Sequence, residues 1–376
     1  MSEEGHASPL LVSGAAIVYR LFDVAYEIRL DRALDLLASS APERVRPVRG
    51  EAQAIQIPNP PVTVILGDEQ IAVGGKRYDA ELSARIFDFG VVSLRLRFDP
   101  PARMPWAEWS AFGNSVDVDV DLTPVFTHHL RLLLDRIAPA LVRPVTSAVA
   151  EDYIVFRIGG LTSADGCPLS TDVLRDEDVI PLLLDERRTL SAAARRELLP
   201  HRFSYYSDDL ALLTWNNALV IEPLEGDTDV QYVLEFANAQ LLELRVYDAM
   251  LDAELPRMYD RIEATRSGGA GALLRRRYAP LLADLQTLVA DSTELVERVE
   301  NSLKVTDDVY LARIYTAALE IFRGRAWRAG IDRKLSIIRE TYAMLNAESQ
   351  AARAEALELA IVLLIVAEIV MALFMK

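Results

Sequence analysis

Hydrophobic and polar positions change their period partway along the chain. In the first half, short apolar runs are separated by turn residues: "AAIVYRLF" (15–22), "PVTVIL" (61–66), "QIAVGG" (70–75) and "EDYIVFRIGG" (151–160). Runs of this length, rich in Val, Ile and aromatics and closed by Gly or Asp, predict strands. "GDE" is read as the turn between the second and third. "SARIFDFGVVSLRLRFD" (83–99) predicts a strand pair or one bent strand with Gly90 at the bend. "DRALDLLASS" (31–40) and "LTPVFTHHLRLLLDRIAPAL" (122–141) carry apolar residues at helical spacing, and "DDLALLTWNNALVIEP" (208–223) reads as a late strand or hairpin. The expected fold class is α+β: a mixed α/β head over residues 1–225, with a ferredoxin-like sandwich as its specific form.

Beyond residue 226 nothing reads as β. Asp229 is placed to cap a helix that passes Leu255, with Pro256 marking a kink or end. "RSGGAGALLRRR" (266–277) reads as a joint, followed by a helix with Leu281, Leu285, Leu288, Leu295, Val299 and Leu303 at three-and-four spacing. A third helix covers "DDVYLARIYTAALEIFRGR", and a fourth begins near Ile331. The fourth has the longest periodicity: Ile331, Leu335, Ile338, Tyr342, Leu345, Ser349, Ala352, Ala356, Leu359, Leu363, Val366, Val370 and Leu373 form a heptad stripe free of Pro and Gly. A helical stalk over 226–356 is expected, its last helix roughly 65–70 Å long.

That helix runs into "LELAIVLLIVAEIVMALFMK". Residues 357–375 would make ~28 Å of helix, against a hydrocarbon core of ~30 Å. A single C-terminal transmembrane helix is therefore expected, giving a tail-anchored, single-pass membrane protein with its bulk in the cytoplasm, at a bacterial inner membrane. A soluble bundle core is the rival reading. Glu368 opposes insertion by roughly 2.5–3.5 kcal/mol. Its face, with Ala360 and Ala372, is the expected route of self-association.

Composition narrows the function classes. The chain has 376 residues, is 51% hydrophobic and carries a net charge of −16. A global negative field repels phosphate backbones, so bulk nucleic-acid binding is disfavoured. Cys167 is the only cysteine, so neither an intrachain disulfide nor a cysteine-based zinc site can form. The acidic start, "MSEEGHASPL", reads as neither a signal nor a transit peptide.

Candidate chemistry is sparse. His128 and His129 are adjacent on a helix, about 100° apart, a poor metal pair. "SVDVDVDL" puts Asp117, Asp119 and Asp121 on one face of an extended strand. It departs from a calcium loop at Leu122 and His128 and reads as a solvated edge. "FRGRAWRAGIDRK" (322–334) gathers Arg323, Arg325, Arg328, Arg333 and Lys334 around Trp327. It forms either salt bridges with acidic helices or a dock for an anionic macromolecule, such as a ribosome or an acidic protein. No metal, cofactor or small-molecule ligand is inferred, and no catalytic constellation is visible.

Two stretches resemble the "required for meiotic nuclear division" family. One is "FDFGVV": Phe87, Asp88, Phe89, Gly90, Val91 and Val92. The other is the closing pattern Leu357-Glu358, Leu364-Ile365, Glu368-Ile369. Family members share a mixed α/β front, a helical back and a C-terminal span, and mitochondrial members support organellar translation at the membrane. The resemblance implies a non-mitochondrial relative acting as a non-catalytic, membrane-anchored scaffold that positions a macromolecular partner. The alternative is a membrane-localised enzyme with a site in the α/β head. A channel subunit is a third reading, weakened by a single span without Gly-Met-Asn at its end.

Overall fold

The computed structural model describes residues 10–38, 43–44, 59–186, 188, 190–199, 201–223, 228–266, 283, 286–287, 289–290 and 308–374. The chain divides into two compact units. One joins Met1–Glu243 with Ser302–Gly324; the other joins Leu244–Asn301 with Arg325–Lys376.

The first unit is built on one large sheet. Its strands are β1 (Leu10–Asp23), β3 (Glu43–Arg44), β4 (Val62–Val73), β5 (Lys76–Ile86), β6 (Val91–Phe98), β8 (Ala150–Thr162), β10 (Arg202–Phe203), β11 (Leu210–Leu213) and β12 (Asn217–Ile221), in the order β10-β11-β12-β8-β1-β6-β5-β4-β3. A short β9 (Pro168–Leu169) pairs with β8, and β2 (Ala25–Ile28) pairs with β7 (Leu141–Pro144) in a separate ribbon. The mixed α/β architecture is as expected, but the ferredoxin-like form is not. That form interleaves two split β-α-β units, whereas here β4, β5 and β6 follow one another as antiparallel neighbours along the sheet. Here β1 runs antiparallel to both neighbours, β6 and β8, and the one parallel pair among the described strands is β12 with β8. Residues 61–75 also differ from expectation. "GDE" is not a turn; β4 runs through it, with an irregularity between Ile65 and Gly67, and the chain reverses at Gly74–Gly75. Gly67, at φ +135, absorbs the extra residue that a bulge requires.

Period-two alternation gives the sheet two buried faces. Ala80, Leu82, Ala84 and Ile86 of β5 join Val92, Leu94, Leu96 and Phe98 of β6 on one side. They pack with α1 (Leu30–Leu37), α2 (Trp106–Asn114), α3 (Thr123–Ile137) and α4 (Asp176–Leu184), which supply Leu37, Trp109, Phe126 and Leu182. The short α5 (Ala192–Leu198) has no buried residue. The other face carries Ile17, Tyr19, Leu21, Tyr153 and Val220, all buried. Over it lie the first turns of α6 (Asp229–Arg266) and α7 (Val309–Ile321). Phe236 sits against Phe87 and Tyr315, and Phe322 meets Tyr153 edge-on. The start of α6 is buried on all sides, so its polar residues need internal partners. Thr228 and Gln231 exchange backbone and side-chain hydrogen bonds in a Thr-x-x-Gln capping box, so Thr228, and not Asp229, is the cap. Arg85 donates to Glu235, and Tyr315 to Gln240.

In the second unit α6 packs with α8 (Gly324–Phe374). Leu244, Leu251 and Met258 recur every seven residues and meet Ile331, Leu335, Ile338 and Leu345, so the heptad stripe is an intramolecular seam along this stretch. α6 continues unbroken past Pro256, which removes one internal hydrogen bond without ending the helix. The expected joint at 267–277 and the leucine-spaced helix after it lie outside the described residues, apart from a few positions.

The expected transmembrane helix is overturned. Among the described residues no helix is long and apolar enough to cross a membrane. Two carboxylates, Glu358 and Glu368, interrupt the apolar run, and each opposes burial in hydrocarbon. Leu357, Leu364, Ile365 and Ile369 are exposed side chains of α8. The tail-anchored topology, the membrane partner and the inner-membrane location fall with the span.

Candidate functional site

"FDFGVV" forms the turn between β5 and β6 and the start of β6. Phe87 N–H donates to Val91 O (2.9 Å), and Gly90 N–H to Phe87 O (3.3 Å). Gly90 has φ +98, and a Cβ there would lie 1.7 Å from the Ala25 carbonyl oxygen. That closeness comes from two further bonds: Val24 N–H to Gly90 O (3.0 Å) and Ile28 N–H to Asp88 O (2.9 Å). The Asp88 carboxylate accepts from Asn59 Nδ2 (3.1 Å), and Phe87 and Phe89 stack on each other beside Phe236. The motif is thus architectural: it joins the hairpin to the β1–β2 connection and anchors α6.

The arginine-rich stretch is divided between the two units. Lys334 is held by Asp248 and Asp252, each 2.6 Å away, within the second unit. Burial lowers its pKa, but these two hydrogen bonds outweigh that and hold the ammonium above its ordinary value. Arg333 and Arg325 are exposed, and Arg328 is half-buried. Arg323 belongs to the first unit. It follows the last turn of α7 with φ +52, a left-handed conformation usually left to glycine, and its guanidinium lies 5.8 Å from the centre of the Trp215 ring.

Trp215 opens onto a strip that sequence reading missed. Along α7, Arg313 lies over Phe203 (5.6 Å), and Tyr310 meets Tyr205 (5.8 Å), which in turn meets Tyr206 (4.8 Å). Phe322, after the helix, meets Trp215 (6.3 Å). Tyr205 is 66% exposed, Tyr206 60% and Trp215 45%, while neighbouring aromatics are buried. The tyrosines face outward because the buried Asp209 accepts the backbone N–H of both, at 2.7 and 3.0 Å. The strip joins residues about a hundred positions apart, which no local pattern reveals. The available signal was the pair Tyr205-Tyr206 in an otherwise polar loop of Ser and Asp.

The aspartates and histidines are also placed. Ser115–Asp119 is a π-helical turn extending α2, so Asp117, Asp119 and Asp121 do not share a strand face. Buried Val116 and exposed Val118 set that turn. A cleft of about 370 Å³ borders it, lined by Ser110, Asn114, Ser115, Asp119, Pro181 and Asp185 among others. Asp117, outside the cleft's lining, has its pKa raised by burial, countered by a hydrogen bond with Asn217 and reinforced by Asp185. His129 pairs with Glu69 at 2.7 Å. Among the described residues no group of three or more His, Cys, Asp or Glu could hold a metal ion.

Comparison with known proteins adds a family. Residues 13–228 match the family model described as "Uncharacterized protein MJ0711, N-terminal domain". That span covers the sheet from β1 to β12 and reaches the cap of α6. The uncharacterised protein MJ0711 of Methanocaldococcus jannaschii is 28% identical over 177 residues, which are 47% of this chain and 53% of the relative. The chain thus spans about half the length of the curated relative it matches. No solved structure matches. With more than half of its length matched by the family model, the chain belongs to the MJ0711 N-terminal domain family.

Proposed function

We propose that this protein is a non-catalytic scaffold that positions a macromolecular partner. The observation that carries the reading is the strip of Tyr205, Tyr206, Trp215, Arg313 and Arg323. Tyr, Trp and Arg are the residues that dominate binding energy in protein interfaces, because each combines apolar area with a polar handle. Two elements support it. Asp209 holds the tyrosine loop outward, and Arg323 keeps a left-handed backbone that glycine would adopt at less cost. A photo-crosslinking phenylalanine analogue at Tyr206 tests the idea in the native cell. A discrete adduct should form at 206, be absent with the analogue at exposed Ile65, and be lost in Arg323→Gly. Equal labelling at both sites would refute it.

A second reading is an enzyme using the cleft beside the π-helical turn. Two carboxylates that line it, Asp119 and Asp185, favour it. Binding of a small molecule from a metabolite extract, lost in Asp185→Asn, would support that reading; no such binding would leave the scaffold.

A further inference from the structure

Arg313 and Arg323 stand out in this chain. It has 56 acidic residues against 40 Lys and Arg, so a carboxylate is easy to find. Both are exposed, and neither makes an ion pair among the described residues; each lies over an aromatic ring instead. Along α7 the strip runs from Tyr205, beside Tyr310, to Arg313 over Phe203 and on to Arg323 over Trp215, one arginine within the helix and one just past its end. Ten residues separate them, on the order of 15 Å along a helix axis. We propose that this strip binds an extended acidic peptide segment of a partner protein, with two carboxylates about four to five residues apart and apolar side chains beside them. The inference rests on the scaffold reading and names its partner class.

The spacing follows from geometry. An extended chain rises about 3.3 Å per residue, so four to five residues match the ~15 Å between the two arginines along the backbone. Each guanidinium offers a planar fork that fits a carboxylate. Tyr205, Tyr206 and Trp215 supply apolar area beside the forks. Single-stranded nucleic acid would also stack on aromatics, but it needs a run of cations. Here the exposed acids Asp208 and Glu320 interrupt the strip, and the −16 net charge repels a polyanion more than a peptide with two charges.

The test uses the full chain and fluorescein-labelled peptides with two glutamates separated by two to eight positions and Tyr, Leu and Pro spacers. Anisotropy should show the tightest binding when the glutamates are four to five positions apart. Arg323→Gly and Arg313→Gln should each weaken it about tenfold, and raising the salt should weaken it further. A 12-nucleotide oligouridine should not bind. Glycine fits the left-handed position at 323, so that variant keeps the fold. Binding independent of spacing, indifference to both arginine variants, or tighter binding of the oligouridine would each overturn the proposal. If peptides fail while the Tyr206 crosslink still depends on Arg323, the partner class is wrong and the scaffold stands. If both fail, the scaffold reading fails too.

Discussion

Replacing Gly90 with alanine should damage the first unit far more than its single methyl group suggests. Two costs add. A non-glycine residue at φ +98 is strained by ~1–3 kcal/mol. The new Cβ would also sit 1.7 Å from the Ala25 carbonyl oxygen and 2.9 Å from its carbon, both backbone atoms that cannot swing aside. Relief requires the hairpin turn and the β1–β2 connection to separate. That breaks the bonds from Val24 N–H to Gly90 O and from Ile28 N–H to Asp88 O, each contributing ~1 kcal/mol. The expected total is ~3–5 kcal/mol, a large part of the ~5–15 kcal/mol that holds a domain folded. Gly75→Ala is the internal control. Gly75 also has positive φ (+80), but a Cβ added there would have no atom within 4 Å, so only the strain applies. Urea unfolding followed by circular dichroism should show a large fall in midpoint for Gly90→Ala and a smaller one for Gly75→Ala, with similar slopes. Equal losses, or a loss below ~1 kcal/mol at Gly90, would refute the close-approach account of the motif.

At position 323 glycine should be more stable than alanine by ~1 kcal/mol, the reverse of their order inside a helix, because both lose the Trp215 contact but only alanine keeps the left-handed strain; thermal melts of the two variants check the order. Asp23 has its pKa pushed up to about 7 by burial. The folded state therefore holds a proton that the unfolded state releases near 4, so this carboxyl costs stability as pH rises from about 4 to 7, and the cost stays above 7. Asp23→Asn should raise stability at pH 8 and leave it nearly unchanged at pH 3.5, as read by urea titration at each pH. Lys334→Ala should loosen the second unit by ~1–2 kcal/mol, since it leaves Asp248 and Asp252 facing each other without their cation; the strip should keep its binding, which separates this lysine from Arg323.

Local pattern revealed the elements whose signal is local. The hairpin around Gly90, α1, α3 and the paired strands before and after "TWNN" all follow from runs that alternate or repeat over a few residues. The pattern failed where tertiary context decides. At residues 61–75 a flexible glycine looked like a turn but serves as a bulge within one strand, because β5 pairs along its whole length. At Asp117 an alternating "VDVDV" looked extended, yet burial of Val116 wound it into a π-helical turn. The terminal run looked like a membrane span on apolar content, but it carries two glutamates, and among the described residues no helix is long and apolar enough to cross a membrane. For the candidate site, Arg323 was legible as a charge, but its ring partner Trp215 and the outward tyrosines come from loops far away in sequence. Only the contacts of Tyr310, Arg313, Phe322 and Arg323 with those loops and with Phe203 bring them onto one strip.

The most direct test of the central claim is the dissociation constant of the protein crosslinked at Tyr206, measured with the wild-type chain, Tyr206→Ala and Arg323→Gly. The scaffold account expects about tenfold weaker binding or more for each variant, with unchanged melting for Tyr206→Ala and no chemical change in the bound partner by mass spectrometry. Full affinity in both variants, or conversion of the partner to a product, would contradict it.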